Sequence, residues 1–112
     1  MKTEVKHENS VTVVSVSESV DAMTAADLTK TINDQISDGH VNLVIDLAGV
    51  VFMSSAGLRT LLGAVKESRG AGGDLRIVSS QAGVDKVLKM SGFHTIAKVF
   101  TSAADAVASF SS

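Results

Sequence analysis

The chain has 112 residues, 45% of them hydrophobic, with a formal net charge of −2 and neither cysteine nor proline. That length and apolar content suit one domain with a real core, and the missing thiols exclude disulfides, thiolate catalysis and cysteine-based metal sites. No apolar run approaches the roughly 20 residues needed to span a bilayer, the start MKTEVKHENS is unlike a secretory signal, and no basic cluster offers itself to a nucleic acid, so the expectation is a cytoplasmic protein with neither membrane insertion nor nucleic-acid contact.

In chain order, TEVKH and the β-branched run from Val11 to Val16 flank the polar turn His7-Glu8-Asn9-Ser10 and predict an opening hairpin. Leu28, Ile32 and Ile36 then recur at intervals of four, predicting a helix from Thr24 to the Asp38-Gly39 terminator. Thr24 and Asp27 are read as its capping box, with Asp in the place of Glu. VNLVID, residues 41–46, is a short buried strand. Leu58, Leu61, Leu62 and Val65 form the apolar stripe of a second helix. DLRIVS gives another strand, Val84, Val87 and Leu88 a third helix stopped at Gly92, IAKVF a last strand, and Thr101-Ser102 opens a final helix carrying Ala103, Ala106, Val107 and Phe110. Such alternation predicts an α/β fold: a mixed, mostly parallel sheet opened by an N-terminal hairpin, with about four helices mainly on one face, because right-handed crossovers advancing in one direction stack their helices together.

Chemistry-bearing residues are few. GAGG at 70–73 follows a helix and precedes a strand, the reverse of a dinucleotide loop, and reads as a helix end and turn. Ser54 and Ser55, in FMSSAGLR, stand where a helix begins. As hydrolase nucleophiles they lack the G-x-S-x-G elbow and an evident histidine base. His7, His40 and His94 fall in three separate segments, and no pair of histidines or carboxylates has metal-ligand spacing. Asp21 precedes the first helix and Asp46 ends VNLVID; both are placed at the carboxyl ends of neighbouring strands, where open α/β sheets carry ligands, although turns attract Asp for purely local reasons.

IDLAGVVFMSSAGLRTLL, with SVDAMTAADL upstream, resembles the sulfate transporter and anti-sigma factor antagonist domain, STAS, and is similar above all to free-standing bacterial anti-anti-sigma proteins. The family pattern D-L-S-x-V-x-F-M-D-S-S/T-G-L is matched by Asp46, Leu47, Val50, Phe52, Met53, Ser55, Gly57 and Leu58; its G-E-L-D is matched loosely by Glu18-Ser19-Val20-Asp21. This resemblance implies a binding switch and not an enzyme, with no cofactor and no metal. On this resemblance the unphosphorylated protein is expected to bind a serine kinase of the histidine-kinase-like ATPase type that doubles as an anti-sigma factor. The resemblance further implies that phosphorylation at Ser55 releases the kinase and that a PP2C-type phosphatase reverses the modification. Asp21, Ser54, Ser55, Gly57 and Arg59 are the expected partner-binding residues, Arg59 being placed to pair with a phosphate or to sit in solvent. Two positions depart from the family: Ser54 replaces the acid before the acceptor and offers a second hydroxyl, and Ala56 replaces the following Ser/Thr. The alternatives carried forward are a constitutive STAS scaffold or transporter-associated module, and a small hydrolase.

Overall fold

A computed structural model of the chain describes residues 2–111. Strands β1 (Lys2–Glu8) and β2 (Val11–Val20) form the hairpin; helix α1 (Ala22–Ser37), β3 (Asn42–Met53), α2 (Ser55–Gly70), β4 (Asp74–Val78), α3 (Ala82–Met90), a 3-10 turn (Phe93–Thr95), β5 (Lys98–Phe100) and α4 (Ala103–Ala108) follow. The sheet order is β1-β2-β3-β4-β5, antiparallel in the first pair and parallel in the others. Asn9 and Ser10 both take positive φ, as a two-residue turn of matching twist requires.

Alternation along the strands builds two cores. Val14, Val16 and Val20 of β2, Leu43, Ile45 and Leu47 of β3, and Leu75 and Ile77 of β4 pack with Leu28 and Ile32 of α1, Leu61 and Val65 of α2, and Val84 and Leu88 of α3. On the opposite face Val11, Val13, Val44 and Val78 pack with Ala106 and Val107 of α4. The central strands are therefore apolar on both faces, which explains runs such as VNLVID. Three helices share one face as the crossover rule predicts, and α4 alone covers the other.

Turns and helix ends correct two local expectations. The cap of α1 is Asp21 with Thr24, one turn earlier than the Thr24–Asp27 pair. Thr24 lies inside the helix because Asp21, its backbone extended at φ −108°, reaches the first free N–H groups. Asp46 does not end its strand: β3 runs on to Met53, and Asp46 Oδ1 accepts the Ala48 N–H at 3.0 Å. GAGG is a turn, as read. A Cβ on Gly73 would lie 2.0 Å from the Val41 carbonyl oxygen.

The extension of β3 is irregular. Ser15↔Asp46 is followed by Ser17↔Gly49, and Glu18↔Val50 by Ser19↔Phe52, so β3 holds one residue more than β2 at each step. These bulges break the two-residue alternation. Val51 and Phe52 consequently face outward together, 64% and 55% exposed, between buried Val50 and Met53. Glu18, opposite the second bulge, sits in the left-handed region at φ +74°. Past its last pairing with β4, β3 has an open edge, and Gln81 at the start of α3 partly closes it by donating Nε2 to the Ala48 carbonyl at 3.1 Å.

Candidate functional site at two joined helix starts

Neighbouring parallel strands β2 and β3 end side by side, and each passes at once into a helix. The Ser54 N–H donates to the Val20 carbonyl at 2.8 Å, tying the two strand-to-helix corners together. At the first corner Asp21 Oδ1 accepts the N–H groups of Met23 (3.0 Å) and Thr24 (2.9 Å), while the Asp21 N–H donates to Thr24 Oγ1 at 2.9 Å. Stabilised by the Thr24 N–H first, then by the Thr24 hydroxyl and the Met23 N–H, the Asp21 carboxyl is held below the usual carboxylate range. Asp21 is exposed, so a fixed negative charge stands at the surface of the corner.

At the second corner Ser54 is the N-cap: its Oγ accepts the Gly57 N–H at 3.2 Å and its carbonyl accepts the Leu58 N–H at 3.1 Å. Ser54 is half-buried by this role, whereas Ser55, at the first helical position, is exposed. The two hydroxyls are thus sorted: one is engaged in capping and the other faces outward. Gly57 makes the corner possible. A Cβ there would meet Val20 Cγ1 at 2.8 Å and Met53 Cγ at 2.9 Å, so only glycine lets α2 start this close to β2.

From the corner a groove of about 410 Å³ runs between α1 and α2, with Ala25, Ala26, Thr29, Ala56, Arg59 and Gly63 among its walls. Its floor is pinned by a 2.9 Å hydrogen bond between the Thr29 and Thr60 hydroxyls. Arg59 is exposed. Asp21, Ser54, Ser55 and Gly57 therefore meet at the corner, and Arg59 lies one turn along its helix. Asp46 is elsewhere, in a cleft of about 680 Å³ lined by Glu4, Ser15, Ser17 and Gly49.

His7 and His40 lie at the other end of the sheet, where β2 and β3 begin. His7 shares a 3.0 Å hydrogen bond with Thr12 Oγ1 and its ring lies 4.2 Å, centroid to centroid, from that of His40. His94 Nε2 is 3.5 Å from Asp85 Oδ1. The contacts of the three imidazoles are thus with Thr12, with one another and with Asp85, not with Ser55. The meeting of His7 and His40 follows from hairpin and crossover lengths and had no signal in local spacing. Val51 and Phe52, exposed by the bulges near this corner, were equally invisible to a reading by period.

A five-stranded α/β sheet with an N-terminal hairpin, three helices on one face and a serine-bearing helix start beside a second helix start defines the class. The STAS domain profile matches residues 2–106, and the chain belongs to that family. The anti-sigma-F factor antagonist RsfB of Mycobacterium tuberculosis is 30% identical over 99 residues, covering 88% of this chain and 80% of the relative. An anti-sigma factor antagonist from Mycobacterium paratuberculosis superposes with a TM-score of 0.86 at 27% identity, over 96% of this chain and 92% of that one. The Bacillus protein SpoIIAA in its phosphorylated form shares the fold, with a TM-score of 0.76 at 16% identity over 97% and 99% of the two chains. Among the described residues, no helix is long and apolar enough to cross a membrane.

Proposed function

We propose that this chain is an anti-sigma factor antagonist in a partner-switching pathway. Unphosphorylated, it binds a serine kinase that doubles as an anti-sigma factor, through the corner formed by Asp21, Ser54, Ser55 and Gly57 with Arg59 beside it. The kinase transfers the γ-phosphoryl group of ATP to Ser55 Oγ: the oxygen–phosphorus bond to ADP breaks, the bond to Ser55 forms, and the hydroxyl proton passes to a base of the kinase. A PP2C-type phosphatase hydrolyses the ester.

The observation that carries this reading is the outward hydroxyl of Ser55 beside a neighbour whose own hydroxyl oxygen is already used as a cap. It is supported by relatives named as antagonists and by a fold neighbour solved with its phosphate. The physics is local. A phosphate adds about −1.5 to −2 charges to a surface that already holds ionised Asp21, and repulsion plus desolvation at a docked interface can be large without moving the core. A coupling of about 3 kcal/mol lowers affinity by roughly two decades.

Phosphate-affinity gels after incubation with the cognate kinase and ATP test the site: label is expected on the chain and absent from Ser55→Ala. Full labelling of the alanine variant rejects Ser55. Kinase binding unaffected by Ser55→Glu would instead favour a constitutive STAS module.

A further inference from the structure

We infer that Arg59 is an intrachain phosphate arm: when Ser55 carries a phosphoryl group, the guanidinium of Arg59 pairs with it and holds it against the start of α2. The inference rests on the reading of Ser55 as the acceptor and adds what becomes of the phosphate.

Four features of the corner lead there. Ser55 and Arg59 are four residues apart on one helix, so they share a face with Cβ atoms about 5–6 Å apart, within reach of a flexible guanidinium. The first turn of α2 contains no acid, and Arg59 is the first charged residue along the helix. Among the described residues Arg59 forms no ion pair and no side-chain hydrogen bond, whereas Arg69 and Arg76 are both held by Asp74, at 2.9 and 2.7 Å. Finally, Ser54 Oγ caps Gly57 and the carbonyl of Ser54 takes Leu58, so that among the described residues the N–H groups of Ser55 and Ala56 have no partner at the positive end of the helix.

The surrounding charges give the arm its purpose. Asp21, tied to this corner through the Ser54–Val20 bond, is a fixed anion that opposes a second negative group. Ser54, in place of an acid, adds none. A guanidinium presents planar paired donors suited to phosphate oxygens, and it stays charged at every physiological pH. Arg59 also forms part of the groove wall. Its capture by the phosphate therefore withdraws the cation from the docking face at the moment the phosphate adds negative charge there, so a partner carboxylate loses its counter-ion as well as meeting repulsion.

The test uses the chain alone, with phosphoserine encoded at position 55, beside the same chain carrying Arg59→Gln or Arg59→Lys. Phosphorus NMR follows the second ionisation of the phosphate. A nearby cation favours the dianion, so ionisation in the parent is expected at a pH lower by about half a unit or more than in the glutamine variant, with lysine between them. The gap should shrink in about 1 M salt, where screening is short-ranged. Unphosphorylated parent and variants should melt alike. Identical titration of the parent and the glutamine variant overturns the inference. Since the phosphate is installed directly, a failure here leaves the kinase-labelling result standing, and a failure of labelling leaves this result standing.

Discussion

The amide of Ser54 lies 2.8 Å from the carbonyl of Val20, and this bond makes one surface of two corners distant in sequence. It brings the cap of α1 beside the cap of α2. Asp21 and Ser55 then share a neighbourhood that neither helix specifies alone.

Close approach at this corner should make Gly57 intolerant of even one methyl group. Gly57→Ala gains helix propensity but forces Val20 or Met53 to move, and a loss of about 1–3 kcal/mol is expected from overpacking, read by urea unfolding. Gly63, on the same helix, has nothing within 4 Å of its would-be Cβ, and Gly63→Ala should gain about 0.5–1 kcal/mol. Equal effects at the two positions would contradict the packing described.

Ser54 should act through its oxygen and not as a phosphate acceptor. Ser54→Ala is expected to cost about 0.5–2 kcal/mol by urea unfolding, because the Gly57 N–H loses its partner. Ser54→Asp should recover the loss, since an N-cap carboxylate accepts the same bond and suits the positive helix end. Kinase labelling of Ser54→Ala at the parent level is the companion result; abolished labelling with an intact fold would transfer the acceptor role to Ser54.

Asp21 has two separable roles, and the choice of substitution distinguishes them. Asp21→Asn keeps an acceptor for the Met23 and Thr24 N–H groups, so the melting temperature should stay within about 2 °C of the parent, whereas Asp21→Ala should melt clearly lower. If Asp21 contacts the kinase by its charge, both variants weaken binding, measured by calorimetry. Binding retained by Asp21→Asn alone would reduce the residue to a cap.

Acid should act through Asp74 at the start of β4, which anchors Arg76 of its own strand and Arg69 at the end of α2. Burial opposes its ionisation and pushes the pKa up, but the Leu75 N–H and the two arginines outweigh this and hold the carboxyl below the ordinary range. A lowered folded value stabilises fully above the unfolded value, near 3.9, and is lost as pH falls through the folded one. The gap in melting temperature between the chain and Asp74→Asn should thus be constant from pH 7 to about 5 and close below about 4. A gap that persists at pH 2 would contradict the ion-pair assignment.

Most elements were legible from local pattern. The four-residue spacing of Leu28, Ile32 and Ile36 placed α1, and Gly39 and Gly92, both at positive φ, mark ends where glycine predicted them. The order of strands and helices predicted the parallel sheet and its one-sided crossovers. The cap of α1 was misplaced by one turn because Thr24 and Asp27 satisfy the same residue preferences as Asp21 and Thr24. Only the extended backbone at Asp21 separates the two.

By itself, the order of residues determined the elements, the sheet they form and the hydroxyl at the head of α2, since these depend on periods and caps spanning a few residues. Tertiary structure alone decided the bulges that expose Val51 and Phe52, the side of the sheet that α4 covers, the meeting of His7 with His40, and the assignment of Ser54 to capping and Ser55 to solvent. Each of these depends on what lies across a strand pair or a helix contact, and a hydrogen bond such as Ser54 to Val20 joins residues whose separation along the chain carries no local signal.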